Sequence, residues 1–426
     1  MGMVAYCHVA LMLLLGLGYL EYTVRQDWLH ALSKEHLLNY VQEHYLRLPT
    51  LYQASLFPIY VVGLFLATVI VPGSYHLGVP LSDGRRIRFK INGFRLLCLL
   101  VTAGAVGHYT GYIPGTIVYD NFYAIFLSAN VAAFLVSIYL YIVGTLSGEA
   151  KGRTFVENFV VGTQLMPFVF GQPLKLFWLK PSMMGWAVIN LSFLAKHYEL
   201  NGFVSTPMIL YQAFTLAYIF DYFWFEERMT STWDIIAERF GLMLVWGDIV
   251  FIPFVFSIQA WFLLEDTSSL PLWQVLGMVA VFILGYSIFR GSNSQKHEFK
   301  HDNKVKIWGK PAETIAGKLL VSGWWGLARH INYFGDLLLA VAFSLPCRFS
   351  TVLPWIYPIY LTLLLVHREV RDNRRCRQKY QKVCVLYSCV FFNFLNSLDL
   401  SNRIGKNTSS AFLTESFLIS INCLSE

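Results

Sequence analysis

The residues best suited to chemistry lie in one short segment, LLVSGWWGLARHINYFGD, which runs from Leu319 to Asp336. Within eighteen residues it gathers two tryptophans, an arginine, a histidine, an asparagine and a tyrosine. Cations bind phosphate oxygens, and flat rings and amides bind bases and sugars. The segment therefore predicts part of a site for a phosphate-bearing aromatic cofactor.

Three basic clusters could supply the cations for such a cofactor. They are RRIRFK at Arg85–Lys90, KHEFKHDNKVKIWGK at Lys296–Lys310 and HREVRDNRRCRQKYQK at His367–Lys382. Clusters of this kind also mark the cytosolic side of a membrane protein and then need no ligand. Both interpretations stay open for the first cluster, whereas the other two flank Leu319–Asp336 and favour a shared cofactor site. The chain has no GxGxxG or GxxxxGK[ST] loop, which excludes a Rossmann domain.

The third cluster predicts a helix with one chemically rich face. If His367 to Tyr387 is a single helix, each residue turns by about 100°, and five residues fall within an arc of roughly 100°. They are Asp372, Cys376, Lys379, Tyr380 and Tyr387. A solvated helix at the membrane edge is the alternative, but it has no need of tyrosines in register with an aspartate.

The amino-acid composition indicates which kind of secondary structure must position these residues. The chain has 426 residues, of which 56% are hydrophobic and only 14% charged, where a soluble domain carries about 25% charged residues. This indicates an all-α multi-pass membrane protein, because lipid offers no partner for an unpaired backbone amide. We expect about eight to eleven spanning or half-spanning helices.

Seven apolar runs are clear candidates for spans, and five are weaker. The clear ones are Val4–Leu20, Leu56–Val71, Phe122–Val143, Met208–Phe225, Leu242–Leu264, Leu272–Phe289 and Val352–Val366. The weaker ones are Phe94–Val106, Phe155–Phe170, Met183–Leu194, Leu337–Phe343 and Val383–Leu395. The first run lacks a basic n-region and is interpreted as an anchor rather than a signal peptide. The seven cysteines form no CxxC pair, so neither a metal site nor a disulfide framework is predicted.

At this point the sequence resembles a known family, the sterol reductases. Leu319–Asp336 is similar to their GWWG…RH.NY.GD segment, and LVHREVRDNRRCRQKY at Leu365–Tyr380 resembles their C-terminal signature. Further matches are PLSDGRRIRFKINGF at Pro80–Phe94, MTSTWDIIAERFGLMLVWGD at Met229–Asp248 and FRGSNSQKHEFK at Phe289–Lys300.

The resemblance implies three regions. Residues 1–54 would hold the anchor and an amphipathic segment, 55–398 the sterol reductase membrane domain, and 399–426 an atypical tail. The cofactor half would cover about 290–387.

The resemblance also implies an activity. Such enzymes of the endoplasmic reticulum membrane take hydride from NADPH and reduce a ring double bond of a sterol. The Met229–Asp248 segment reads more like the delta-14 reductases, above all the plant ones, than the delta-7 reductases. The implied partners are a sterol 8,14-diene and the lipid bilayer, and no nucleic acid.

The family's cofactor contacts carry over to this chain position by position. They fall on Lys296, Lys300, Leu320, Trp325, Asn332, Tyr333, Asp372, Cys376, Arg377, Gln378, Lys379, Tyr380 and Tyr387. The chain also departs from the family pattern. An earlier segment with Leu-Asn-Pro-Arg appears here as Leu-Met-Pro-Phe, ending at Phe168, and the pattern is lost beyond Tyr387.

Reduction of an isolated double bond requires a proton before hydride. Protonation at C15 leaves a tertiary cation at C14, which hydride then quenches. Buried acids and phenols are the natural donors. Asp372 and Tyr387 are the preferred catalytic pair, with Tyr380 on the same face. The other candidates are Asp221, Glu226, Glu227, Asp234, Glu238 and Asp248, which alternatively act as caps or as ion pairs with Arg228 and Arg239.

Other functions stay open. Another sterol reductase, such as a delta-7 enzyme, would share the cofactor segments. A non-catalytic membrane scaffold derived from the family is consistent with the altered Leu-Met-Pro-Phe segment and C-terminus. Isoprenylcysteine methyltransferases share a distantly similar cofactor region, but they are shorter and lack the STWDIIAERFG segment.

Overall fold

A computed structural model of the protein describes residues 49–150, 152–315 and 319–380, without the side chains of Ile315 and of residues 373–380. The predicted anchor Val4–Leu20, the predicted run Val383–Leu395, and Tyr387 lie outside these residues. The chain forms two compact units. Of the described residues, the first contains those up to Met278 together with Ala342–Tyr357, and the second contains those in Val279–Val341 and in 358–380.

Helices dominate the described chain, and the strands form four two-stranded antiparallel hairpins. Up to residue 262 the α-helices are α1 Leu51–Ile70, α2 Gly93–Tyr109, α3 Ile117–Asp120, α4 Phe122–Leu146, α5 Phe155–Val160, α6 Leu174–Asn201, α7 Thr206–Trp224, α8 Trp233–Ile236, α9 Leu242–Trp246 and α10 Ile258–Phe262. The strands there are β1 Ser74–Leu77, β2 Arg88–Ile91, β3 Phe168–Val169 and β4 Gln172–Pro173. A 3-10 helix covers Glu226–Ser231, and a π-helix covers Gly247–Val255.

The later elements carry the second and third basic clusters. They are α11 Leu272–His301, β5 Lys306–Ile307, β6 Lys310–Pro311, β7 Thr314–Ile315, β8 Leu319–Leu320, α12 Ile331–Ser344 and α13 Ile356–Tyr380. Short 3-10 helices cover Gly323–Gly326, Leu345–Cys347 and Leu353–Trp355. The helix predicted from His367 is therefore present as far as Tyr380, as the last part of α13.

The multi-pass prediction is confirmed. Within the described residues four helical stretches are long and apolar enough to cross a membrane: Leu51–Ile70, Phe122–Leu146, Leu242–Phe262 and Leu272–His301. Two shorter apolar helices cover Gly93–Tyr109 and Ile331–Cys347. The total of about eight to eleven spans stays a prediction.

One predicted half-span, Phe155–Phe170, is wrong. Thr154 caps α5 with a complete capping box, but the helix ends after six residues at Val160. Gly162 follows with a φ of 103°, where a Cβ atom would lie 2.4 Å from the carbonyl carbon of Phe240. The helix ends before Gly162 because an α-helix cannot accommodate a positive φ. The close approach to Phe240 also leaves no room for a side chain, so this position requires glycine.

The first basic cluster joins α1 to α2. The Lys90 ammonium donates to the carbonyls of Thr68 and Val69, 3.0 and 2.8 Å away, at the C-terminal end of α1. Arg85 pairs with Asp83, with 2.7 Å between Nη2 and Oδ2. These partners account for Lys90 and Arg85, two of the four cations of the cluster, without a ligand.

A buried ion pair anchors the packing of the first unit. The ammonium of Lys180 on α6 lies 3.3 Å from Oε1 of Glu226, and the two side chains are 2% and 1% exposed. Lys180 also donates to Asn92 Oδ1 at 2.6 Å, and Glu226 Oε2 accepts from the backbone N–H of Gly93 at 2.6 Å. Both charges are therefore paired and hydrogen-bonded, as buried charges must be.

Candidate functional site

The candidate site lies in the second unit and depends on a close crossing of α11 and α12. A Cβ atom on Gly285 of α11 would lie 2.8 Å from Leu338 Cβ, and one on Gly335 of α12 would lie 2.5 Å from the backbone nitrogen of Phe289. Only glycine allows the two backbones to approach this closely. The crossing brings the amide of Asn332 to Asn293, with 3.4 Å between Nδ2 and Oδ1.

The two tryptophans of the GWWG segment sit in a 3-10 turn fixed against α11. Gly323 enters the turn with a φ of 63°, and the backbone N–H of Trp324 donates to Gln295 Oε1 at 2.9 Å. The indole N–H of Trp325 donates to the carbonyl of Ser292 at 2.8 Å. Trp325 is 7% exposed and packs in an apolar cluster. The cluster also contains Ile288, Ala328 and Ile331, with Leu320 packed against it.

Trp325 and α11 place the predicted cations. The Lys296 ammonium lies 4.5 Å from the centre of the Trp325 ring, within the range of a cation–π interaction. Lys300 follows one helical turn later, so the two side chains share a face of α11. Both lysines are exposed. The pair can therefore meet an anionic group from solution.

Polar groups beside these lysines lack partners within the described residues. Asn332 Oδ1 and His330 Nε2 are buried and make no hydrogen bond. The His330 ring stacks on Tyr333, with 4.7 Å between ring centroids and 11° between planes. Buried polar atoms normally have partners. An amide, two exposed cations and an aromatic stack fit a nucleotide cofactor, which would supply the missing hydrogen bonds.

Asp372 is held by Arg329, which the sequence analysis did not single out. Arg329 Nη2 lies 3.4 Å from Asp372 Oδ2, and His330 Nε2 lies 3.9 Å from the same oxygen. Burial and the neighbouring Arg329 lower the pKa of His330 to about 4, so its imidazole is neutral at physiological pH. The charge on Asp372 is therefore balanced by Arg329. The adjacent Arg329 and His330 in Leu319–Asp336 were the sequence signal that could have identified this partner of Asp372.

The structure thus groups part of the predicted cofactor set. The side chains described in the second unit are those of Lys296, Lys300, Leu320, Trp325, Asn332, Tyr333 and Asp372. Cys376, Arg377, Gln378, Lys379 and Tyr380 lie on the last turns of α13. Their roles, and those of Asp372, Tyr380 and Tyr387 in catalysis, stay predictions.

The alternative acids of the first unit are partly committed to structure. Glu226 pairs with Lys180 rather than with the predicted Arg228. Glu238 Oε1 accepts from the indole of Trp233 at 2.8 Å, and the backbone carbonyl of Glu238 accepts from Lys175. Asp248 is 9% exposed and lies in the π-helix. The predicted pairing of Glu226 with Arg228 is therefore wrong as to the partner, and a catalytic role for any of these acids stays a prediction.

Residues 12–390 match the ergosterol biosynthesis ERG4/ERG24 family. The chain is 45% identical over 348 residues to a delta(14)-sterol reductase of Arabidopsis thaliana, covering 80% of this chain and 94% of the relative. It is 41% identical over 343 residues to a delta(14)-sterol reductase of Methylotuvimicrobium alcaliphilum, covering 78% and 79%. It is 40% identical over 334 residues to the delta(14)-sterol reductase TM7SF2 of Mus musculus, covering 75% and 79%.

Proposed function

Because the chain belongs to the ergosterol biosynthesis ERG4/ERG24 family, we propose that it is an NADPH-dependent delta(14)-sterol reductase. It reduces the C14=C15 double bond of sterol 8,14-dienes during sterol biosynthesis. The relatives with that name support the reaction. The observation that carries the cofactor assignment is the grouping of Lys296, Trp325 and Asn332 in the second unit.

Different described residues bind different parts of NADPH. Lys296 and Lys300 bind the 2′-phosphate, because two exposed ammonium groups on one helical face attract a dianion. Asn332 offers its unpartnered Oδ1 to an N–H donor of the cofactor. Tyr333, stacked on His330, supplies a flat surface for a ring. When bound, NADPH supplies the hydride that completes the reduction.

The chain itself must supply the proton and exclude water. Asp372, paired with Arg329, serves to orient the phenol of Tyr387 or to return a proton to it after transfer. Tyr387 is the proposed donor to C15, and Tyr380, on the same predicted face, contacts the cofactor. A proton at C15 leaves the cation at C14, where apolar surroundings prevent capture by water.

The enzyme is a multi-pass membrane protein, and we place it in the endoplasmic reticulum membrane, where its sterol substrate dissolves. The test is expression in a yeast strain that lacks delta-14 reductase, followed by gas chromatography of the accumulated 8,14-diene. Conversion of the diene is expected. Its persistence despite verified expression would contradict the proposal.

Microsomes prepared from the same yeast cells distinguish this reductase from the alternative functions. A delta-7 reductase would reduce a 5,7-diene sterol and leave the 8,14-diene, and a non-catalytic scaffold would reduce neither. Omitting NADPH, or replacing it with S-adenosylmethionine, separates a reductase from a methyltransferase.

A further inference from the structure

The hairpin of β5 and β6 turns at a tryptophan whose backbone is strained. Both residues of its two-residue turn have a positive φ, 50° at Trp308 and 79° at Gly309. Turns of this kind strongly favour Asn-Gly or Asp-Gly, because a bulky side chain at positive φ is a steric outlier. Residues held in rarely populated backbone conformations cluster at functional sites. The turn alone therefore gives no reason for a tryptophan at position 308.

The Trp308 side chain lies outside the apolar core. It is 65% exposed. Its ring meets the ring of Trp324 at an interplanar angle of 71°, with 5.8 Å between the centroids. An edge contact of this kind covers at most one face of the Trp308 ring. The other face is therefore open and available for stacking on a planar ligand.

The hairpin that carries Trp308 is fixed to the GWWG turn. Ile307, the residue before Trp308, is 4% exposed. A Cβ atom on Gly323 would lie 2.4 Å from Ile307 Cγ2 and 2.6 Å from Gln295 Oε1. Only a glycine at this place allows the hairpin, the turn and α11 to meet so closely. The GWWG turn and α11 therefore set the position of the Trp308 ring.

The same turn connects Trp308 to a cation that the proposed function assigns to the 2′-phosphate. Trp324, which contacts Trp308, donates its backbone N–H to Gln295, the residue before Lys296 on α11. The next residue of the turn is Trp325, whose ring centre lies 4.5 Å from the Lys296 ammonium. The open ring face and the cation therefore belong to one continuous set of contacts within the second unit.

An adenine ring is the planar group that suits this place. In NADPH the 2′-phosphate is attached to the ribose that carries adenine, so a ring bound beside the phosphate is adenine and not nicotinamide. Aromatic side chains stack on bases through their π faces. Lys306 and Lys310 lie on either side of Trp308 along the hairpin and are exposed, which favours an anionic ligand.

An anchor in the lipid headgroup region is the competing explanation, because tryptophan is enriched at membrane interfaces and lysine binds anionic lipids. The length of α11 argues against this alternative. Its apolar run ends at Phe289, whereas the helix continues for a further twelve residues to His301. At 1.5 Å per residue these add about 18 Å of polar helix before the hairpin begins.

We propose that Trp308 stacks on the adenine ring of NADPH. The proposal rests on the proposed function for the identity of the cofactor. It adds a residue that recognises the base to Lys296 and Lys300, which bind the 2′-phosphate. Tyr333 then remains for the nicotinamide ring at the other end of the cofactor.

The test measures binding of adenosine 2′,5′-bisphosphate to the full-length protein in nanodiscs by isothermal titration calorimetry, so that it does not depend on turnover. This probe carries the adenine and the 2′-phosphate but no nicotinamide. Trp308→Asn should weaken its binding about 5- to 150-fold, the effect of one lost base–aromatic stack. The ligand-free Tm should be unchanged or raised, because asparagine is favoured at this position of the turn. Trp308→Phe should keep most of the affinity.

Two comparisons separate a lost stack from a general loss of affinity. Trp273→Asn replaces another exposed tryptophan, 71% exposed at the start of α11, and should leave the Kd of the probe unchanged. Trp308→Asn should weaken NADPH and NADH by the same factor, because both carry adenine. Lys296→Ala should instead weaken NADPH much more than NADH.

The proposal is overturned if Trp308→Asn binds the probe as tightly as the wild type, or if it weakens NADPH and not NADH. The first result would assign the tryptophan to the membrane surface. A wild type that binds no adenosine 2′,5′-bisphosphate would contradict the cofactor assignment and this proposal together. Normal binding of the probe without turnover of the 8,14-diene would contradict only the proposed function.

Discussion

The Lys296 ammonium lies over the ring of Trp325, 4.5 Å from its centre, while the indole N–H of the same tryptophan donates to Ser292 one turn earlier on α11. The tryptophan is thus held at two successive turns of one helix. Its ring fixes the direction of the cation, and the cation in turn covers the ring.

The cations of α11 are expected to select NADPH. Lys296→Ala and Lys300→Ala should each raise KM for NADPH about 10- to 150-fold, the effect of one lost charge-assisted contact, and change KM for NADH much less. Steady-state kinetics with both nucleotides measure this. Lys304→Ala, an exposed lysine beyond the end of α11, is the control and should change neither value. Equal effects on both nucleotides would reassign the lysines to membrane topology.

Trp325 should act through Lys296. Trp325→Leu removes the ring under the ammonium and should reproduce the nucleotide selectivity of Lys296→Ala, and the double variant should be little worse than either single one. Trp325→Phe keeps an aromatic ring and should keep most of the selectivity, losing only the bond to Ser292. Additive effects in the double variant would show that the two side chains act independently.

Asp372 and Tyr387 are expected to act as one unit. Asp372→Asn and Tyr387→Phe should each lower kcat by about 10²- to 10⁴-fold, as for a lost general acid, without additivity in the double variant. Tyr380→Phe is the control and should change KM for NADPH more than kcat. Recovery of full kcat by Tyr387→Phe at saturating NADPH would remove Tyr387 from the proton path.

Replacing one partner of the buried pair Lys180–Glu226 should destabilise the protein more than replacing both partners. Lys180→Met leaves Glu226 without its cation and should lower the free energy of unfolding by about 3–5 kcal/mol, whereas Lys180→Met combined with Glu226→Gln should recover part of the loss. Thermal unfolding in detergent measures both. The pair Lys196–Glu199, 3.3 Å apart with Lys196 half-buried and Glu199 exposed, provides a comparison in which Lys196→Met should cost less than about 1 kcal/mol. A double variant less stable than Lys180→Met would contradict this account.

His330 should make the protein sensitive to acid. Burial lowers its pKa to about 4, against about 6.5 for an unfolded histidine. Between these values the unfolded chain binds more protons, so the free energy of unfolding decreases as the pH falls through that window. When the pH is lowered from 7 to 5, the Tm of His330→Gln should therefore decrease less than the Tm of the wild type. His301→Gln, at an exposed histidine, should behave like the wild type, and an unchanged pH dependence in His330→Gln would disprove the assignment.

Local patterns predicted the helices, whereas contacts distant in sequence were not predictable. The helix hypothesised over His367–Tyr387 is present as far as Tyr380, the last residue described there. The pairing of Lys180 with Glu226 depends on the register of two helices, which no local pattern encodes.

Two other features show the same limit. The apolar run predicted at Met183–Leu194 is only the later part of α6, because the buried Lys175 and Lys180 interrupt the hydropathy of its first turns. The π-helix Gly247–Val255 reads in sequence like an ordinary apolar span, since the difference is one of backbone register. The family resemblance selected Trp325 and Asn332, but not Arg329, the partner of Asp372.

The buried lysines of α6 also constrain how the protein is made. A buried charge is costly unless it is paired and hydrogen-bonded. Lys180 has its counter-charge on Glu226, which leaves the ribosome 46 residues later. We therefore expect α6 to reach its final packing only after α7 and the following turn have been synthesised, when Glu226 can match the charge of Lys180.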